Sequence, residues 1–185
     1  MSRVLFFMVV SANGYYERGP WQIDWHNVDA EFNDFAMAQL DSVDVLVFGR
    51  KTYEGMARWW PTPEAISRDP EVAGRMNALT KVVVSTTLER ADWMNTRIVR
   101  EDLGTAVEKL KRESSKGVLV MGSSDLAISL AKLGLVDEYR LMVNPVFLRG
   151  GKPVLAGLSD DVHVKLGDVR RFRSGNVLLT YEPDR

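Results

Sequence analysis

The sequence predicts an α/β fold: a mostly parallel sheet covered by helices and finished by antiparallel strands at its carboxyl-terminal end. Three observations carry this expectation. Val45, Leu46, Val47 and Phe48 form an uninterrupted bulky run, as in a strand covered on both faces, and lead through Gly49 into a helix-like pattern. Strand and helix patterns then alternate as far as Gly134. Beyond it, residues 138–148, 162–172 and 176–182 carry strand patterns with only turns between them, and Arg173-Ser174-Gly175-Asn176 is a hairpin signal.

In chain order, residues 3–10 read as a buried strand that ends at the turn Ser11-Ala12-Asn13-Gly14. Residues 15–27 hold Trp21, Trp25, Gly19 and Pro20 without periodicity, an aromatic-rich loop suited to covering something. Phe32, Phe35, Ala36 and Leu40 lie at helical spacing behind Asp29, which predicts an amphipathic helix over 29–40 capped by that aspartate. A helix at about 51–58 follows the strand at 45–48, with Thr52 as its cap. Pro61, Pro63 and Pro70 predict irregular structure over 59–80. Residues 81–85 are a β-branched strand and 97–99 a minor one, while Leu103, Val107 and Leu110 mark one face of a helix that stops near Ser114. Residues 118–121 form the next buried strand, and Leu126, Ala127, Leu130 and Leu133 mark a helix stopped by Gly134.

A length of 185 residues with 45% hydrophobic content predicts one domain over 1–185 with a sizeable core. Net charge is −1, so no global field favours nucleic acid or an anionic membrane, and any anion site is local. The absence of cysteine removes disulfides and thiolate chemistry and fits a cytoplasmic protein. His26 and His163 lie too far apart for a metal pair, so no metal is expected. No apolar run approaches the roughly 20 residues of a membrane span.

Three predicted strand ends carry groups suited to phosphate or ribose: Gly49-Arg50-Lys51-Thr52, Ser85-Thr86-Thr87 and Gly122-Ser123-Ser124. Ligands of open α/β sheets sit at the carboxyl ends of strands, so the three converge on one crevice. The Gly122 turn is the best pyrophosphate candidate, because glycine admits the backbone and the following helix aims free N–H groups at an anion. The full Gly-x-Gly-x-x-Gly fingerprint is missing.

The order of Ser11-Ala-Asn-Gly14, Phe48-Gly-Arg-Lys-Thr-Tyr-Glu54, Val84-Ser-Thr-Thr-Leu88, Gly122-Ser-Ser124, Val136-Asp-Glu138 and Gly150-Gly-Lys152 resembles the dihydrofolate reductase-like family. It is most similar to the branch that holds the reductase domain of the riboflavin-biosynthesis protein RibD. The resemblance covers nearly the whole chain and implies a three-layer sandwich, NADPH as cofactor and a homodimer paired through the strand-rich last third. It implies cofactor contacts from Gly49, Arg50, Lys51, Thr52, Ser85, Thr86, Thr87, Gly122, Ser123, Ser124 and Leu126, and substrate contacts from Asn13, Trp25, Phe35 and Tyr53. Asn13 stands where the riboflavin branch commonly has an acid. Glu31, one turn before Phe35, and Asp34 lie where true dihydrofolate reductases carry the acid that binds the pterin ring, and both also fit solvated residues near a helix N-terminus. His26 reads as a packing residue or a proton donor.

The expected activity is therefore hydride transfer from NADPH to a C=N or C=O carbon of a small pterin- or pyrimidine-like heterocycle. Two rivals stand beside it. One is reduction of 5-amino-6-(5-phosphoribosylamino)uracil in riboflavin synthesis; the other is a non-catalytic nucleotide- or pterin-binding protein.

Overall fold

A computed structural model describes residues 2–100 and 102–184. In chain order its elements are β1 (Arg3–Ser11), β2 (Tyr15–Glu17), α1 (Ala30–Asp41), β3 (Val45–Gly49), α2 (Arg50–Trp59), α3 (Pro63–Arg68), α4 (Pro70–Ala78), β4 (Thr80–Val84) and β5 (Thr96–Val99). There follow α5 (Leu103–Glu113), β6 (Gly117–Met121), α6 (Ser124–Lys132), β7 (Glu138–Asn144), β8 (Lys152–Pro153), β9 (Val164–Arg171) and β10 (Val177–Pro183).

The main sheet runs β5-β4-β3-β6-β1-β7-β10-β9, with β2 and β8 forming a separate small ladder. Every pair from β5 through β7 is parallel, while β10 lies antiparallel to both β7 and β9. Eight of the nine residues of β1 are buried, because the strand sits mid-sheet under helices on both sides. Leu5, Phe7 and Val9 face Phe35 and Leu40 of α1, Tyr53 of α2, and Val72 and Met76 of α4. Val4, Phe6, Met8 and Val10 face Val107 and Leu110 of α5 and Leu126, Ala127 and Leu130 of α6. The result is the expected three-layer α/β sandwich with antiparallel strands at its C-terminal end.

Four local expectations are corrected. The stretch expected to be irregular, 59–80, holds α3 and α4, with Pro63 and Pro70 in their first turns, where a missing N–H costs nothing. Thr62 and Asp69 cap them by accepting from Ala65 N and Val72 N. Helix α2 starts at Arg50 with Gly49 as its cap, so Thr52 lies inside the first turn and caps nothing. The 15–27 loop contains β2, held by β8. Strand β7 stops at Asn144 rather than running to 148, since Pro145 brings no N–H to a ladder.

One buried and one half-buried charge fix the connections. Lys81 of β4 is fully buried, and its Nζ donates to the carbonyls of Met76 (2.9 Å), Asn77 (2.8 Å) and Leu79 (2.7 Å) while standing 4.6 Å over the Trp93 ring. It thereby satisfies carbonyls that the end of α4 leaves open. Asp44 accepts from the Ser114 hydroxyl, from Ser115 N and Oγ at 2.8 and 2.9 Å, and from Lys116 N. Burial works to raise its pKa, but these hydrogen bonds outweigh it and hold the carboxyl at about 2.

Candidate active site

The parallel register sets Gly49 beside Val84 and Val47 beside Val120, so the turns that leave β4, β3 and β6 are neighbours on the carboxyl edge of the sheet. Two of these turns open into helices, and the helix starts interlock. A Cβ on Gly49 would overlap the Ser123 hydroxyl, and one on Gly122 would stand 3.1 Å from Thr52 Cγ2. Gly122 (φ +61°) and Ser123 (φ +56°) are both left-handed; for serine that conformation costs on the order of 1–3 kcal/mol. Ser123 makes no side-chain cap bond to α6, and Gly49 has no side chain to cap α2. The open N–H groups and positive dipole ends of α2 and α6 thus lie side by side, an anion cradle with glycine where a backbone or phosphate must come close.

Arg50 is fixed at the rim of this cradle. Its Nε donates to Glu54 at 2.8 Å and its Nη1 to Thr87 Oγ1 at 2.9 Å, which joins α2 to the turn after β4. Lys51, Thr86 and Thr87 are exposed beside it. Ser85 is buried, and its hydroxyl oxygen accepts from Thr87 N and Leu88 N, so it shapes the turn from within. Ser124 is likewise buried and accepts from Leu155 N at 2.9 Å. The Leu126 side chain belongs to the core beneath α6 and does not line the cradle as the sequence suggested.

Most of the side chains expected on the substrate side turn out to be structural. Asn13 Oδ1 accepts from Ser11 Oγ (2.9 Å) and Leu148 N (3.0 Å), and its Nδ2 donates to Leu148 O (2.8 Å), so its amide ties the end of β1 to the chain after β7. Tyr53 is buried with its hydroxyl accepting from Trp93 N (3.1 Å), which places it in the core. Phe35 is packed between Phe7 and Phe172, with ring centroids 5.7 and 6.0 Å away. Glu31 Oε2 accepts from Arg173 N at 2.9 Å, and the carboxylate stands 3.7 Å from both Arg170 and Arg173; it anchors the β9–β10 hairpin. Asp34 is exposed on α1. Of this group Trp25 keeps exposed surface: it is half-buried against the core, with Nε1 donating to Gln22 O at 3.1 Å and its ring edge-on to His26, and Phe32, Met56 and Trp60 are half-buried against the same core cluster.

The loop before α1 is pinned at Asn27. Its N–H donates to Asn144 Oδ1 (2.6 Å), its Nδ2 to Ser174 O (3.0 Å), and its carbonyl accepts from Asn176 Nδ2 (2.8 Å). Beside it, His26 Nε2 has no hydrogen-bond partner among the described residues. Burial pushes the imidazole down to about 4 despite the opposing pull of Asp24, so at neutral pH it is the uncharged imidazole and no imidazolium is there to act as an acid. The β2–β8 ladder was not foreseen. It brings Lys152 within 3.2 Å of Glu17 and near Tyr16, whose hydroxyl burial raises, and Asp125 at the start of α6; Gly150-Gly151-Lys152 was its only trace in the sequence. Among the described residues, no group of acids and histidines is arranged to hold a metal ion, and no helix is long and apolar enough to cross a membrane.

Against known proteins, residues 2–178 match the model of the RibD C-terminal domain. The uncharacterised proteins YyaP and YwjB of Bacillus subtilis (strain 168) are 29% identical over 97% of this chain and 22% identical over 92%, covering 94% and 92% of their own lengths. Among solved structures, a putative riboflavin biosynthesis protein from Shewanella sp. PV-4 superposes with a TM-score of 0.75 at 21% identity, covering 99% of both chains. RibD of Acinetobacter baumannii gives a TM-score of 0.72 at 13% identity, over the whole of this chain and 59% of that one.

Proposed function

The chain belongs to the RibD C-terminal domain family, and from that premise we propose that it is an NADPH-dependent reductase of a small flat heterocycle with a C=N or C=O acceptor carbon. The observation that carries this reading is the interlock of Gly49 with Ser123 and Gly122 with Thr52, which sets two uncapped helix N-termini at one spot. A dinucleotide's pyrophosphate fits there, with backbone N–H groups of residues 50–52 and 123–125 as donors. Arg50, Lys51, Thr86 and Thr87 stand at the rim, where a ribose 2′-phosphate would meet two cations and two hydroxyls, which favours NADPH over NADH. When bound, NADPH supplies the hydride from its nicotinamide ring. The chain supplies alignment, and we assign stacking of a flat acceptor to the half-buried aromatics on this side of the sheet, Trp25, Phe32 and Trp60.

With Glu31 engaged by the hairpin and His26 uncharged, water is the best-supported proton source. The same engagement favours, as a second reading, a protein that binds nucleotide without turning it over. Titration with NADPH and NADH, followed by absorbance at 340 nm over a panel of pterins, aminopyrimidines and carbonyl compounds, separates the two. Oxidation with one heterocycle supports the reductase; tight binding with no oxidation supports the rival; no preference for NADPH overturns the cofactor reading.

A homodimer is part of the proposal. All eight residues of β9 are exposed at the edge of the sheet, where Val164, Leu166 and Val169 stand among four charged residues, and an unpaired edge strand is a template for pairing. Sedimentation equilibrium giving the 20.9 kDa monomer at micromolar concentration would refute it.

A further inference from the structure

The segment between β2 and α1 is an arch tied at both feet. At one foot β2 pairs with β8; at the other Asn27 is held by Asn144, Ser174 and Asn176. Between them the chain makes its own short turns, with Gln22 N donating to Gly19 O (2.9 Å), Ile23 N to Trp21 O (3.1 Å) and His26 N to Ile23 O (3.0 Å). Its tip is Trp21, left-handed at φ +64°, a conformation disfavoured for so bulky a residue. The six-membered edge of the indole lies against the backbone of α2 at Gly55, so closely that a Cβ on Gly55 would overlap its Cζ3 and Cη2. Glycine in a helix interior is otherwise a liability relative to alanine, so this notch is maintained against helix propensity.

Gly55 is three residues beyond Thr52, the residue in contact with Gly122, and hence about one helical turn, roughly 5 Å, along α2 from the cradle. The arch therefore leaves the α6 side of the sheet at β2, crosses the carboxyl edge and sets its tip on α2 beside the anion site. We propose that Trp21 seated on Gly55 is a latch that holds this arch over the crevice, so that release of a bound dinucleotide requires the indole to leave the notch. The latch rests on the reading of the cradle as a dinucleotide site. The strained backbone at Trp21 favours opening and the indole contact favours closure, which suits a segment that must do both.

The test uses Gly55→Ala, which blocks the notch while favouring the helix, together with Trp21→Ala and the double variant. In the ligand-free protein, hydrogen exchange at the amides of Gln22, Ile23 and His26 should speed up by about tenfold in each single variant, with α2 amides no faster than wild type. In the presence of NADPH, stopped-flow dissociation should accelerate by about tenfold in either single variant, and the double variant should match the singles. Unchanged exchange in folded Gly55→Ala, or additive effects in the double variant, would overturn the latch. Failure of the wild type to bind NADPH would overturn the cofactor reading, while the exchange comparison would still decide whether Trp21 is latched.

Discussion

Replacing Lys81 by Met keeps the length of the side chain and removes only its ammonium. Burial pushes that ammonium down to about 8, so at pH 7 it is charged and all three of its N–H bonds point at carbonyls. The substitution leaves the carbonyls of Met76, Asn77 and Leu79 without this donor, at about 1–3 kcal/mol for each buried acceptor that water does not reach. It also removes the cation from the Trp93 face and relieves the cost of holding a charge out of water. Truncating one partner of a buried charged arrangement usually costs about 3–5 kcal/mol, because what remains is unpaired. With a urea slope near 2 kcal/mol per molar, the midpoint of Lys81→Met should fall by about 2 M, measured by circular dichroism at pH 7. If the ammonium were merely a desolvated charge with no structural task, methionine would be neutral or stabilising. An unchanged or higher midpoint would therefore refute the reasoning.

Arg50→Ala should weaken NADPH by roughly tenfold or more and NADH much less, as titrations would read, because a charge-assisted bond to phosphate is worth roughly 1.5–3 kcal/mol. Equal losses would remove Arg50 from the 2′-phosphate. Glu31→Gln keeps an acceptor for Arg173 N and loses only a partly exposed ion pair, so turnover should stay within about threefold; a loss above about 100-fold would return Glu31 to the chemistry. His26 titrates at about 4 when folded and near 6.5 when unfolded, so the unfolded chain binds the extra proton between these values. Its contribution is complete above pH 6.5 and is lost as pH falls to 4, by roughly 3 kcal/mol at most; urea midpoints of His26→Gln should show less of this fall than wild type.

The layer order and the convergence of the Gly49, Ser85 and Gly122 turns were legible because alternating strand and helix patterns force parallel strands whose carboxyl ends share one edge. What periodicity cannot show is which atoms meet across that edge. The interlock depends on the indexing of α2 against α6, and nothing local to Gly49 names Ser123. Pro63 and Pro70 hid two helices because they were read as breakers, although Thr62 and Asp69 in front of them are good caps. Asn13, Phe35, Glu31 and Tyr53 are of types that bind ligands and equally tie loops, hairpins and cores together. Only their partners, Leu148, Phe172, Arg173 and Trp93, decide between the roles. Lys81 drew no notice because a lysine at the start of a strand looks solvated.

Strand β1 lies between β6 and β7, with Arg3 paired to Gly117 and Leu5 to Glu138. During synthesis at roughly 5–20 residues per second, the first of these partners reaches the tunnel mouth on the order of ten seconds after β1 does. For that time Val4, Leu5, Phe6, Phe7, Met8, Val9 and Val10 form an apolar, β-prone segment without a partner strand. The nascent chain is therefore exposed to aggregation at β1 until β6 emerges. Slowing translation before residue 117 should lower soluble yield more than slowing it after residue 144, when both neighbours of β1 are present.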